Sequence, residues 1–299
     1  MDRVDGAIII KKEEGLSSQA VVNRVKRLLG ADKAGHTGTL DPLATGVLPV
    51  LVGRGVKASE FMLTSDKHYR AVLRLGITTD TEDITGTVLT RTDKLPKESE
   101  VMSVLSRFRG EIMQTPPVYS ALKVEGKKLY DLARRGEVVE REARPITVFS
   151  LMAERLSDSE YSLDVHCSKG TYIRTLCKDI GEALGVGGVM SALCRTEASG
   201  FTLSEAVTLS ELEALREEER WKRVYPTSYL FRDKRQVILP DFFARLAHSG
   251  LEIYLRKIGE DIPLGTLVTL YDRDGFFALG EVREYEDGAA IKPIRQFRI

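Results

Sequence analysis

Several features are scarce or absent in this chain. It has three cysteines, Cys167, Cys177 and Cys194, among 299 residues. That odd number, with no CxxC spacing, supports neither a disulfide framework nor a zinc ribbon. No apolar run approaches the roughly 18 residues that a membrane-spanning helix needs. The opening residues, Met1 to Gly6, lack the basic-then-apolar pattern of a secretory signal. A reduced, cytoplasmic protein without a membrane partner is the expectation. Net charge is missing too, because 44 Lys and Arg balance 44 Asp and Glu. Bulk basicity therefore says nothing about nucleic acid, and any RNA face must come from local clustering. What is present is ordinary: 42% hydrophobic and 29% charged residues. That composition excludes wholesale disorder, collagen-like repeats and a coiled coil. At ~150 residues per domain, two domains are expected.

The pattern along the chain points to a mixed α/β body followed by a small β-rich unit. Gly6 to Ile10 is an apolar, β-branched run and reads as a buried strand. Ser17 or Ser18 then caps a helix whose apolar face carries Val21, Val22, Val25, Leu28 and Leu29, and Gly30 stops it. A glycine-punctuated loop, GHTGTLDPLATG, leads into the apolar run Val47 to Val52. Tyr69, Val72 and Leu73 near Arg70 and Arg74 read as a strand, followed by the polar turn TTDTEDITG. Lys97 to Phe108 reads as helical, and strands are expected over Ile146–Glu154 and Tyr161–Cys167. A further helix is expected to turn Leu176, Ile180, Ala183 and Leu184 inward. Ser210 and Glu213 read as a capping box opening one charged helix through about Val224. The polar stretch Arg232 to Gln236 suggests a boundary, with domains at 1–232 and 233–299. In the tail, Asp274-Gly275 signals a hairpin.

Between Pro116 and Pro145 seven Lys and Arg face five acids in a segment of low apolar content. We read 117–145 as a protruding insertion. Its Lys123, Lys127, Lys128 and Arg134 are candidate RNA contacts, with Lys67 and Arg70 extending the patch. Five acids could equally leave it a merely solvated hairpin.

Nucleotide and metal chemistry have little to stand on. Gly53-Arg54-Gly55-Val56-Lys57-Ala58 lacks the spacing of a phosphate-binding loop, and no GxGxxG joins a strand to a helix. His166 and Cys167 are adjacent, so on a strand they point to opposite faces. Asp80, Glu82 and Asp83 lack the frame of a calcium loop and read as a solvated turn. No serine sits in GxSxG. What remains is the loop Gly35–Gly46, with one histidine, one aspartate before a proline, and three glycines. Asp41-Pro42 reads either as an ordinary turn starter or as a stiffened carboxylate poised for nucleophilic attack. In the second reading it needs a cation to stay ionised where substrate shuts out water. Arg174 in GTYIRTL is the candidate, although a surface ion pair is the commoner fate of an arginine.

Four blocks then carry a resemblance. AGHTGTLDPLATGVLPV, KHYRAVLRLGITTDTED, TPPVYSALKVEGKKLYDLAR and CSKGTYIRTLCKDIG resemble, in order and spacing, the TruB family of bacterial tRNA pseudouridine synthases. The resemblance runs from about Gly6 to Phe201, and the tail more loosely resembles a PUA-like RNA-binding domain. It implies an α+β pseudouridine-synthase fold, with a central mixed, largely antiparallel sheet flanked by helices. It further implies conversion of uridine 55 in the tRNA T loop to pseudouridine without cofactor, metal or obligatory protein partner. Asp41 then matches the catalytic aspartate, Tyr69 an active-site tyrosine that stacks on the base and serves as a base, and Arg174 the arginine paired with the aspartate. Asp83 resembles a residue tied to that arginine, and His36 the histidine that takes part in base flipping. Leu193 matches an apolar pocket residue, Lys12 a lysine beside it, and Tyr172 suits a dry pocket wall. The insertion corresponds to an element that closes over the T arm like a thumb. Lys12 is followed by Glu13 where the family often has proline, and Cys194 stands where it usually has a basic residue. The rival readings are a non-catalytic tRNA-binding or folding chaperone of the same fold, and a nucleotide-dependent enzyme.

Overall fold

The computed structural model describes residues 4–120, 123–124, 127–128 and 141–298. The first strand shows how the sequence pattern becomes architecture. β1 (Gly6–Lys12) is buried along nearly its whole length because both its faces are covered. Ile8 and Ile10 join the main core, while Ala7 and Ile9 point into a second cluster on the other side. The same division runs through its antiparallel partner β3 (Thr45–Val52), where Leu48 and Val50 face one way and Val47 and Leu51 the other. Strands covered on both faces read as continuous apolar runs.

Further along the sheet only one face is covered. β4 (Lys67–Leu75) buries Lys67, Tyr69, Ala71, Leu73 and Leu75 and turns the alternate residues outward. β10 (Arg144–Arg155) and β11 (Glu160–Cys167) follow the same alternation. On the open face the rings of His68 and His166 stack 3.9 Å apart. The remaining strands of this ten-stranded sheet are β2 (Ala34–His36), β7 (Gly110–Gln114), β12 (Gly188–Ala198), β13 (Phe201–Thr202) and β14 (Tyr225–Pro226). Its main order is β14-β1-β3-β12-β4-β11-β10-β7, with β2 on β3 and β13 on β12. Every pairing is antiparallel except β3 with β12, so the sheet is mixed and largely antiparallel, as expected. Two hairpins stand apart: β5 (Ile77–Thr79) with β6 (Val88–Arg91), and β8 (Lys123–Val124) with β9 (Lys127–Lys128).

Helices close the main core. α1 (Ser18–Leu28) begins where Ser17 accepts the Ala20 N–H and buries Val21, Val22 and Val25. α2 (Ser59–Met62) is one turn, and α3 (Glu98–Val104) continues as a 3-10 turn to Phe108. α4 (Ile173–Ala183) buries Leu176, Cys177 and Ile180, but Ala183, expected inward, is exposed in its last turn. The single charged helix expected over 210–224 is instead two short ones, α5 (Leu209–Ala214) and α6 (Glu217–Trp221). Its box is Thr208 with Glu211, because Thr208 accepts the Glu211 N–H while the Glu211 carboxylate accepts the Thr208 N–H.

The C-terminal segment forms a five-stranded sheet, ordered β15 (Arg235–Ile238), β17 (Leu267–Asp272), β18 (Gly275–Arg283), β19 (Ala290–Gln296) and β16 (Ile253–Tyr254). α6 is followed here by α7 (Asp241–His248), which covers one side. The hairpin turn is Arg273-Asp274, one residue earlier than expected, since Gly275 already pairs with Asp272. Arg235 and Gln236 lie in β15, not in a linker. Leu279 and Phe297 of this sheet pack with Leu51, Leu230 and Phe231 in the second cluster.

Asp272 ties three parts of this unit together. It accepts hydrogen bonds from His248 at 2.9 Å, from Arg298 and from the Asp274 N–H. Burial pushes its carboxyl up, but these bonds outweigh burial and hold it at about 2. A depressed carboxyl stabilises the fold above its ordinary range and loses that contribution as pH falls through the folded value. Asp272→Asn is therefore expected to lower the melting temperature at neutral pH, with the deficit shrinking as pH drops from about 4 toward about 2. Thermal melts across that window check this, and a deficit that does not change with pH would refute it.

Candidate active site

Residues Thr37 to Ala44 run irregularly from β2 to β3, and side chains from outside the loop fix their course. Ser18 brackets Leu40 from both sides: its Oγ accepts the Leu40 N–H at 2.8 Å and donates to the Leu40 carbonyl at 3.0 Å. Lys12, only 1% exposed, donates from Nζ to the carbonyls of Pro42 at 3.2 Å and Ala44 at 2.5 Å, and to that of Glu13. The Gly15 N–H adds a bond to the Pro42 carbonyl. Asp41 thus sits between two anchored neighbours. Burial pushes the Lys12 ammonium down to about 8 against the pull of Asp41 and Glu14.

Asp41 meets Arg174 in a two-pronged ion pair, Nε to Oδ2 at 2.9 Å and Nη2 to Oδ1 at 3.4 Å. The pair is asymmetric: the arginine side chain is 6% exposed, the aspartate 36%. The cation is the buried member and the carboxylate the accessible one. Arg174 spends its other donors on the carbonyls of Thr81 at 3.2 Å and Tyr119 at 2.8 Å, so its charge is fully occupied. Surrounding protein pushes the Asp41 carboxyl up, Arg174 and Lys12 work against that, and the nearby Asp83 adds to it.

The acidic turn is solvated only in part: Asp80 is exposed and Glu82 half-buried, but Asp83 is enclosed. Asp83 is 6% exposed and its Oδ1 accepts from the hydroxyls of Thr81 and Thr85 and the Thr85 N–H. Its tie to Arg174 runs through Thr81, whose carbonyl takes the guanidinium while its hydroxyl bonds Asp83. Glu82 adopts a left-handed φ of 64°, uncommon for a side-chain-bearing residue, and accepts the Thr175 hydroxyl at 2.6 Å. The turn is thereby fastened to the first turn of α4, where Arg174 sits. On the same end of α4, Gln114 pairs with the Tyr172 backbone in both directions, at 2.8 and 3.0 Å.

Tyr69 and Leu193 line the covered face of β4 and β12, 8% and 9% exposed. Burial pushes the Tyr69 phenol up; Arg195, its register partner on β12, opposes this, and the charge of Asp41 reinforces it. Tyr172 is likewise pushed up by burial. His36 Nδ1 accepts the Gly38 N–H at 3.3 Å, and burial together with Arg195 lowers its pKa, so it is neutral with the proton on Nε2. The structure thus gathers Lys12, His36, Asp41, Tyr69, Asp83, Tyr172, Arg174 and Leu193 around one loop. Among the described residues no cluster of three His, Cys, Asp or Glu is arranged to hold a metal ion.

The expected RNA contacts fare differently. Lys67 is turned inward and donates to the carbonyls of Leu63 and Ser65, with burial pushing it down to about 8. It is committed to a turn and does not present a charge to a phosphate. Arg70 is exposed but lies on the open face, opposite Tyr69, beside Asp164 at 3.8 Å. Neither extends a patch around the loop. Lys123, Lys127 and Lys128 fall on the small β8–β9 hairpin, and Arg134 lies outside the described residues.

Three residues of this site escaped the sequence reading. Ser18 was weighed only as a helix cap, and Gln114 carries no motif. Arg195 had a signal: it shares strand alternation with the apolar Leu193, which turns it inward.

Comparisons with known proteins match most of the chain. Residues 26–173 match the family described as TruB family pseudouridylate synthase (N terminal domain), and residues 174–240 match the tRNA pseudouridylate synthase B C-terminal domain. A protein of Alkaliphilus oremlandii named tRNA pseudouridine synthase B is 43% identical over 94% of each chain. One of the same name from Pseudomonas putida is 50% identical over 99% of this chain and 96% of its own. Among solved structures, a chain of a Cbf5-Nop10-Gar1 complex superposes with a TM-score of 0.75 at 28% identity, covering 98% of this chain and 84% of that one.

The Asp41–Arg174 pair generates a pH prediction. In Arg174→Met the opposing charge is gone and the carboxyl rises further, so the acid limb of any activity that uses the carboxylate moves to higher pH. A displacement toward higher pH is expected in single-turnover rates followed across pH. An unmoved acid limb would show that Arg174 does not hold Asp41 ionised.

Proposed function

The chain belongs to the TruB family of pseudouridylate synthases and isomerises uridine to pseudouridine in tRNA, and from that premise we propose that its target is uridine 55 of the T loop. The observation that carries the residue-level reading is the Asp41–Arg174 pair, an accessible carboxylate backed by a buried cation. Isomerisation exchanges one bond for another. The N1–C1′ glycosidic bond breaks, the base rotates, C5 bonds to C1′, and the proton leaving C5 is matched by one gained at N1. No oxidant or external water enters that balance. In our reading Asp41 is the nucleophile that holds the substrate while the base turns. Tyr69 stacks on the flipped base and handles the C5 proton.

A stacked uridine must first be extruded, at a cost of a few kcal/mol. His36, neutral and held by Gly38, is suited to fill the vacated space, and Leu193 and Tyr172 to keep the pocket dry. Lys12 and Asp83 act at one remove, through the loop backbone and through Thr81. We assign the body to 1–232 and an RNA-binding unit to 233–299, with 117–145 closing over the T arm. The expected setting is cytoplasmic, with no obligatory protein partner. Among the described residues no helix is long and apolar enough to cross a membrane.

Tritium release from T-arm RNA labelled at uridine C5 tests the activity, because C5 loses its hydrogen only when pseudouridine forms. Asp41→Asn is expected to abolish release while RNA affinity stays within about threefold, since the amide is nearly isosteric but not nucleophilic. Multiple turnover by that variant would remove Asp41 from its role. For the insertion, Lys127→Glu, Lys128→Glu and Arg134→Glu together are expected to weaken T-arm binding. The salt slope should become shallower by about 0.7–0.9 for each lost phosphate contact. Unchanged affinity and slope would place the RNA face elsewhere.

A further inference from the structure

We propose that Arg195 is a positioning residue for this reaction, its guanidinium bracing Tyr69 against the backbone of the Asp41 loop. Arg195 is 1% exposed and is among the largest fully buried side chains of the described protein. Burying a guanidinium is costly unless it is paired. Among the described residues no carboxylate lies within ion-pair distance of it. Its partners are instead carbonyls, Val47 O from Nε at 2.8 Å and Gly38 O from Nη2 at 3.1 Å. One carbonyl belongs to β3 and the other to the loop that carries Asp41.

The backbone repeats the connection. Arg195 pairs with Gly46 in the short parallel bridge between β12 and β3. Gly46 has a φ of +104°, and a Cβ there would stand 2.2 Å from the Arg195 carbonyl oxygen. A Cβ on Gly38 would meet Arg195 Nη1 at 3.3 Å. The approach at Gly46 is to the Arg195 main chain, so glycine lets the two strands meet there, while at Gly38 a side chain would crowd the guanidinium itself. Across the strand pair, Arg195 stands opposite Tyr69 in register. A neutral side chain would fill the same space without the desolvation cost, so it is the charge that the site retains.

That charge has a use in the reaction. A phenol enclosed by protein, with the charge of Asp41 adding to the cost, is hard to ionise, and Arg195 is the cation that offsets this. Burial lowers the His36 pKa, and the same guanidinium adds to that. The inference rests on the reading of Tyr69 as the group that handles the C5 proton.

The test compares Arg195→Met, Arg195→Lys and Tyr69→Phe. Each variant is followed by single-turnover rate at saturating T-arm RNA over a range of pH, by RNA affinity, and by ultraviolet titration of tyrosine. The Tyr69 titration is the difference between a protein and its Tyr69→Phe counterpart. In Arg195→Met we expect a rate loss of about 100-fold at neutral pH, affinity within about threefold, partial recovery at alkaline pH, and a Tyr69 titration moved upward. Arg195→Lys keeps the charge but not the fork, so its titration should stay near wild type and its rate fall between the two. A rate loss in Arg195→Met with an unmoved pH profile and titration would make Arg195 merely structural and overturn the proposal. So would identical behaviour of the Lys and Met variants. If Arg195→Met does not fold, the Lys variant decides, because an upward move of its Tyr69 titration is not compatible with the brace. Full activity in Tyr69→Phe would instead refute the role of Tyr69, while the titration would still report on Arg195.

Discussion

The structure is organised around keeping one carboxylate charged where water is scarce. Enclosure raises the Asp41 carboxyl, so the fold has to supply a cation that cannot drift away. Arg174 meets that need because it is itself held, by carbonyls from two separate segments and by its place in the first turn of a buried helix. An exposed arginine in the same pair would contribute little, since solvent would screen it. Much of the surrounding hydrogen bonding secures the arginine: Asp83 orders Thr81, Glu82 pins Thr175, and Gln114 clamps Tyr172.

The opposite side of the site is built by the same means with different parts. The Asp41 loop has little regular structure of its own, and β1 and α1 lend it Lys12 and Ser18. Both are close in sequence to each other and distant from the loop. An ammonium donating to main-chain carbonyls makes stronger hydrogen bonds than a neutral donor does, and the Ser18 hydroxyl adds two more. The Asp41 loop can therefore keep its glycines without becoming loose.

How much of this was legible in the sequence depended on the range of the interactions. Alternation in β4 and β11 and the apolar runs of β1 and β3 are local consequences of burial, and they read correctly. The block GHTGTLDP marked the loop, and the resemblance it carries named Asp41 and Arg174 as partners 133 residues apart. The failures share a cause. Ser18, Gln114 and Arg195 act on carbonyls and amides of distant segments, and a backbone acceptor leaves no mark in a sequence. Lys67 and Arg70 were grouped because they are near Tyr69 in the chain. Strand alternation sends Lys67 into a turn and Arg70 to the far face. Capping and hairpin registers were misplaced by one or two residues because neighbouring residues of similar chemistry compete for the same position.

The second apolar cluster has a consequence for how the chain is divided. Leu279 and Phe297 share it with Leu51, Leu230 and Phe231, so the two sheets have part of their interior in common. Arg54 and Lys57 reach across to the Phe297 and Gln296 carbonyls, and Arg295 pairs with Glu60. A tail joined only by a linker can be exchanged, duplicated or lost without damage to the body. This one cannot be, because cutting at residue 232 strips the cover from side chains that the body has no other means of hiding. Any surface that the tail offers to RNA is therefore carried at a fixed offset from the Asp41 loop, like two points on one ruler.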